Sequence, residues 1–215
     1  MEAPSAPASG CALCARLASF RADNRAAHGD WHNAPVPSFG PLDTRLLIVG
    51  LAPGMKGANR TGRPFTGDYA GDLLYATLKK FGFAKGKYDA RPDDDFELVD
   101  CRITNAVRCV PPENKPTPAE ITACRPFLVA EIAAMKRLKA MLALGAIAHQ
   151  TVLATLGLRQ ASYPFKHGAL HRLPNGLLLA DSYHCSRYNT NTGRLTTAMF
   201  EDVFAKLSTA IETTS

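Results

Sequence analysis

The residues of this chain that could do chemistry fall into four groups. Cys11 and Cys14 form a C-x2-C pair, and Cys109 and Cys124 are separated by fourteen residues. A Gly-rich stretch, GLAPGMKGANRTGRPFTGDYAGDLL, starts at Gly50 and carries Arg60, Arg63, Phe65 and Asp68. Asn105 ends an apolar run. His184 stands in Ser182-Tyr183-His184-Cys185-Ser186-Arg187-Tyr188-Asn189.

Each group has a functional and an ordinary reading. Glycines such as Gly50 and Gly54 let backbone approach a ligand and present N–H groups to it. Arg60 and Arg63 could grip phosphate, and Phe65 could stack on a flat ring. No Gly-Lys-Ser/Thr follows, so this is not a phosphate-binding P-loop, and it is not a dinucleotide fingerprint. An ordinary long loop fits equally well on composition. The amide of Asn105 offers an acceptor and a donor, enough to read a pyrimidine edge; a cap or turn would also use it. Asp68 directly precedes a helix, where a carboxylate caps backbone N–H groups.

The cysteines admit three readings. A thioredoxin-like C-x2-C belongs near a βαβ pattern, not in the first helix. Structural zinc usually takes two short-spaced pairs. Four cysteines with one wide pair fit an iron–sulfur cluster at least as well. Cys101 lies in a predicted strand and reads as core. Cys185 beside the last loop reads as a bystander or an oxidisable thiol. His28, His32, His149, His167 and His171 carry no assignment.

These groups need elements to hold them. Cys11 to about His28 reads as a helix, Arg45 to Leu51 as a strand, and Tyr69 to Phe81 as a helix. A charged linker, Lys85 to Asp95, precedes a second apolar run from Phe96 to Val107. Thr117, Pro118 and Glu120 mark a helix start, with the helix running to about Lys139. Ala140 to Leu144 is a third strand, and Gly145 opens a helix to about Leu156. Lys166–His171 and Leu177–Tyr183 flank Pro174-Asn175-Gly176 as a hairpin. A polar loop from Cys185 to Gly193 leads to a final helix ending near Thr213. The repeated β-loop-α pattern predicts an α/β fold, three layers deep, around a mostly parallel sheet of about four strands. Such sheets bind ligands beyond the carboxyl ends of their strands, where the unusual stretches sit.

Composition bounds the possibilities. The chain has 215 residues, 46% of them hydrophobic, enough for one packed domain. That domain is expected over 11–215, after a flexible tail at 1–10. Twenty-five Lys and Arg against 19 Asp and Glu give a net charge of +6, which permits a polyanionic partner without requiring one. Lys136, Arg137, Lys139 and Glu131 interrupt the longest apolar stretch, so no membrane span is expected. The first ten residues lack the features of a signal peptide, so the expectation is a cytoplasmic protein with free or metal-binding thiols; a monomer is expected, although nothing in the sequence fixes the oligomeric state.

The motifs together resemble the iron–sulfur uracil-DNA glycosylases of types a and b. Gly-x-Ala-Pro-Gly followed by Gly-Arg-Pro-Phe-x-Gly is their first motif, and the Asn-Arg-Thr-Gly-Arg-Pro-Phe-Thr-Gly-Asp version is most similar to type b (family 5). Type-a members have Glu where Leu51 stands. TNAVRCVPP and Cys124-Arg125-Pro126-Phe127-Leu128 are similar to the cluster-ligand stretches. Ser-Tyr-His-x-Ser, then Asn-x-x-Thr-Gly-Arg-Leu-Thr, is similar to the second motif, although Cys185 replaces a common proline.

The resemblance implies that Cys11, Cys14, Cys109 and Cys124 bind a structural [4Fe-4S] cluster. It implies a DNA repair glycosylase that flips out uracil, hydrolyses its N-glycosidic bond and leaves an abasic site. Phe65 stacks on the base, Asn105 holds its edge, and His184 donates to the departing base. Gly50, Ala52 and Gly54 line the base site, and Asp68 stabilises the cationic sugar or positions water. Arg60, Arg63, Ser186, Arg187, Tyr188 and Asn189 would contact DNA. The apolar first motif leaves room for other deaminated bases such as hypoxanthine or xanthine. A non-catalytic damaged-DNA-binding protein and an iron–sulfur redox protein are the competing readings.

Overall fold

The computed structural model describes residues 6–213. Five strands form the main sheet: β1 (Leu46–Gly50), β4 (Cys101–Asn105), β5 (Ala140–Leu144), β6 (Leu170–Arg172) and β7 (Leu178–Ser182). Their order is β4-β1-β5-β7-β6; the first four are parallel, and β6 pairs antiparallel with β7. The sheet is thus the expected four parallel strands plus one edge strand from the hairpin. A separate two-stranded ribbon, β2 (Ala84–Lys85) with β3 (Glu97–Leu98), brackets the charged linker.

Helices cover both faces. They are α1 (Ala15–Ala27), α2 (Ala58–Thr61), α3 (Tyr69–Lys80), α4 (Pro118–Ala134), α5 (Ala146–Thr155), α6 (Arg187–Asn191) and α7 (Thr197–Thr213). Buried residues of β1 alternate between the two sides. Leu46 and Ile48 join one core cluster with Leu74, Leu78, Phe200 and Phe204 of α3 and α7. Leu47 and Val49 join a second with Leu128 and Val152 of α4 and α5. A sheet buried on both faces reads as continuous apolar runs, and all five residues of β1, β5 and β7 are buried.

Local chemistry sets the element ends. Thr117 and Glu120 form a full capping box at the start of α4. That helix ends at Ala134, short of Lys139, and the chain turns through Met135 to Leu138 so that Lys139 N–H reaches Arg45 O at 2.9 Å. The second apolar run is broken at Asp100, whose φ is +50°. Its carboxylate binds the Arg45 side chain, tying β4 to the start of β1. Buried Glu131 of α4 receives Arg102 Nε at 2.6 Å and Thr104 Oγ1 at 2.9 Å, and pairs with buried Arg108. Burial alone would raise the Glu131 carboxyl; the charges of Arg108 and Arg102 outweigh it and hold the group below its ordinary value.

Residues 1–5 of the expected tail lie outside the described residues. Among the described residues, no helix is long and apolar enough to cross a membrane.

Candidate active site and thiol cluster

The parallel register brings the motifs together. Gly50 is the partner of Asn105 at the carboxyl ends of β1 and β4. Leu144 is the partner of Ser182, two residues before His184. An open pocket lies beyond these ends, lined by Ala52, Gly54, Phe65, Asp68, Asn105 and His184, with Ser186 and Arg187 at one side.

Phe65 is buried and its ring faces that of His184, with centroids 5.9 Å apart and planes 29° apart. Its backbone sits in the left-handed region, φ +54°, which costs a non-glycine residue about 1 kcal/mol or more. Its neighbours hold it there. Tyr75 Oη donates to Pro64 O at 2.5 Å, and Tyr88 Oη donates to Phe65 O at 3.4 Å. Gly71 packs so closely on Phe65 O that a Cβ at Gly71 would collide with it.

Asn105 is buried, and its side-chain oxygen has no hydrogen-bond partner. A Cβ on Gly50 would strike that oxygen and the Phe65 ring, so glycine at 50 keeps both groups in place. A buried amide oxygen without a partner costs about 1–3 kcal/mol. A ligand N–H in the pocket would repay that cost.

Asp68 caps α3, its Oδ1 accepting from Gly71 N–H at 3.1 Å. Its other oxygen faces Gly54 and Gly57, where side chains would crowd it. The cap expectation therefore holds, with one oxygen left toward the pocket. Burial raises the Asp68 carboxyl above its ordinary value, against the backbone N–H groups of Gly71 and Ala70, which act the other way. Burial also pushes His184 down to about 4, so its imidazole is neutral at pH 7.

The expected DNA contacts divide. Arg187 is exposed at the pocket edge, its guanidinium 5.4 Å from the Tyr69 ring centre. Tyr188 is 73% exposed. Arg60 is also exposed but opens onto a neighbouring groove with Trp31, His32 and Arg91. Ser186 caps the short α6, accepting from Asn189 N–H at 3.4 Å.

One assignment is corrected. Arg63 does not reach a phosphate: it is buried, and its two terminal nitrogens lie 2.7 and 2.9 Å from the Asp94 carboxylate. Its guanidinium also sits among the rings of Phe39, Tyr75 and Tyr88. Asn189 is half-buried, and its amide donates to His184 O at 2.8 Å. Cys101 and Cys185 are both fully buried, so Cys185 is core and not an accessible thiol.

Sequence reasoning missed Asp94 and His167. His167 Nδ1 accepts from the Tyr183 N–H at 3.1 Å, one residue before His184. The Lys-His-Gly turn before β6 was its only signal.

The geometry at the strand ends agrees with a match between residues 37–208 and the model of the uracil DNA glycosylase superfamily. The chain belongs to that superfamily. It is 47% identical over 198 residues to a type-5 uracil-DNA glycosylase of Thermus thermophilus, covering 90% of each chain. A type-5 uracil-DNA glycosylase of Mycobacterium leprae is 43% identical, covering 90% of this chain and 88% of the relative. One of Pyrobaculum aerophilum is 40% identical, covering 91% and 87%. These matches place the chain in the type-5 group.

The thiol cluster lies in a second place. Cys11, Cys14, Cys109 and Cys124 line one small hollow with Leu17, Val107 and Phe127. Cys14 directly precedes α1, Cys109 follows β4, and Cys124 is on α4. Arg21 is buried against them. It donates to Cys109 Sγ at 2.7 Å and to Cys11 O at 2.6 Å, and its Nε has no partner. Burial raises the thiols of Cys109 and Cys14, and that of Cys124 to about 11. A buried cation facing neutral thiols, with no carboxylate among its hydrogen-bond partners, is electrostatically incomplete. An anionic cluster held by four thiolates would complete it.

Proposed function

We propose that this chain is a uracil-DNA glycosylase that hydrolyses the N-glycosidic bond of an extruded deoxyuridine and leaves an abasic site. One observation carries the reading: the unpartnered, buried Asn105 amide oxygen facing the same pocket as Phe65 and His184. Uracil supplies what that oxygen lacks, an N3–H flanked by carbonyl oxygens for the amide N–H2.

The bond between C1′ and N1 breaks as the sugar takes on oxocarbenium character and negative charge grows on the uracil O2. Neutral His184 donates a hydrogen bond toward that oxygen, and burial makes the interaction worth more than in water. Asp68, with one oxygen toward the pocket, stabilises the cationic sugar or positions the water that adds to C1′. Phe65 fixes the plane of the base. Arg187, Tyr188 and Arg60 are the exposed groups offered to phosphates and to the gap left by the flipped nucleotide.

Cys11, Cys14, Cys109 and Cys124 are assigned to a [4Fe-4S] cluster. When bound, it cross-links α1 to the segments after β4 and does no bond-breaking. The wall from Gly50 to Pro53 has no ionisable side chain, which supports a wider base choice that includes hypoxanthine and xanthine. A cytoplasmic monomer acting on DNA with uracil or other deaminated bases completes the proposal.

The test is release of free base from duplexes with one U·G or one hypoxanthine pair. Damaged-DNA binding without release would leave the non-catalytic reading. Cluster redox cycling with no dependence on Phe65 or Asn105 would leave the redox one.

A further inference from the structure

Outside the pocket lining, three side chains from three elements converge. Asp181 of β7 is fully buried, and both its oxygens are engaged. Oδ1 lies 2.6 Å from Nδ1 of His149 on α5, and Oδ2 lies 3.3 Å from Nε2 of His171 on β6. The ligand atoms of all three residues lie within 4.8 Å of one another. Lys166 backbone N–H approaches Oδ2 at 3.4 Å.

The other nitrogen of His149 decides what this cluster needs. Nε2 lies 2.8 Å from Tyr163 O. A carbonyl only accepts, so Nε2 carries a proton. Nδ1 then faces a carboxylate, which also only accepts. A positive species must therefore stand between Nδ1 and Asp181: either a second proton or a metal ion. A histidine whose far N–H is fixed by a backbone carbonyl is the arrangement metal sites use to orient an imidazole ligand.

We infer that His149, His171 and Asp181 form a binding site for a zinc-class divalent transition-metal ion. Two imidazole nitrogens and a carboxylate are donors for that class, and are too few and too nitrogen-rich for calcium or magnesium. Zinc would hold these donors at about 2.0–2.2 Å, with edges of about 3.3–3.5 Å between them. The 2.6 and 3.3 Å contacts are to different oxygens of Asp181, so binding through one oxygen requires the imidazoles, whose ligand atoms lie within 4.8 Å of it and of each other, to shift to edges of that length, and the proton on Nδ1 leaves as the ion enters. The ion would not touch the base. It would pin α5 and β6 to β7, the strand that runs into His184.

The test uses the full chain and Co2+ as the probe. Cobalt held by nitrogen and oxygen shows visible d–d bands without the near-ultraviolet sulfur-to-metal charge transfer that cysteine-bound cobalt gives. The inference predicts one such site in the wild type, displaced by zinc, with one proton released per ion. It predicts at least a hundredfold weaker binding in His149→Gln and in His171→Gln. His171 is at the rim, 17% exposed, so that variant keeps the test open if His149→Gln does not fold. Absence of a nitrogen–oxygen cobalt spectrum in the wild type overturns the inference, as does equal affinity in wild type and variants. Neither result bears on uracil release.

Discussion

His167 Nδ1 accepts the backbone N–H of Tyr183 at 3.1 Å, and the two rings stack with centroids 4.9 Å apart. Tyr183 immediately precedes His184, whose carbonyl is held in turn by the Asn189 amide at 2.8 Å. The proposed donor to the leaving base is thus gripped on both sides by side chains from a hairpin and a short helix. The bond needs an unprotonated Nδ1, and burial lowers the His167 pKa in keeping with that need. His167→Phe is expected to lower kcat about fivefold with little change in KM, one lost hydrogen bond being worth about 1 kcal/mol. His167→Asn, whose amide oxygen takes the place of Nδ1, is expected to recover most of it. Equal loss in both variants would reduce His167 to a packing role.

Arg63 and Asp94 carry a stability prediction. Side-chain exposures of 6% and 1% make this a buried pair, and breaking such a pair typically costs about 3–5 kcal/mol. Burial works against the Asp94 carboxylate, but the Arg63 hydrogen bonds and charge win and lower it to about 2. Its stabilisation is therefore complete above the ordinary carboxylate pKa of about 3.9 and is lost as pH falls through 2. Urea unfolding should show Asp94→Asn less stable at pH 7, with the gap closing toward pH 2. A constant gap would contradict the ion-pair account.

The first motif was legible as a motif, but the job of Arg63 within it was not. Spacing places Arg63 two residues before Phe65 and says nothing of Asp94, which comes from a linker that reads as solvated charge. Only the β2–β3 ribbon brings that linker back over Phe65. Asn189 is similar: its partner is a backbone carbonyl, which leaves no trace in sequence. By contrast, β1, β5 and the α4 cap follow from local pattern and capping chemistry, so their bounds were readable to within a residue or two. The end of α4 was not, because the chain leaves the helix at Ala134 and turns so that Lys139 N–H bonds Arg45 O.

His184 governs the acid side of the pH profile. Its pKa of about 4 means it stays a neutral donor as pH falls from 8 to about 5. Single-turnover rates are expected to show no histidine limb near 6.5. A limb at 6–7 that vanishes in His184→Gln would contradict this. Asp68→Asn should lower kcat and remove the acid limb that the buried carboxyl, raised above its ordinary value, gives the wild type.

Arg21 predicts how the thiol cluster behaves. Cys109→Ser should yield colourless protein without the broad visible absorption of an iron–sulfur centre. Arg21→Met should keep the four ligands but lose iron faster under mild oxidant, because the buried cation facing Cys109 Sγ is gone. Iron content equal to wild type in Cys109→Ser would remove that residue from the ligand set.

The most direct test of the central claim is single-turnover release of labelled uracil from a duplex with one U·G pair, by wild type and Asn105→Ala. The account predicts free uracil and an alkali-labile abasic site from the wild type, with the rate reduced at least a hundredfold in the variant. No release from folded, iron-loaded wild-type protein would contradict it, and so would an undiminished rate in Asn105→Ala.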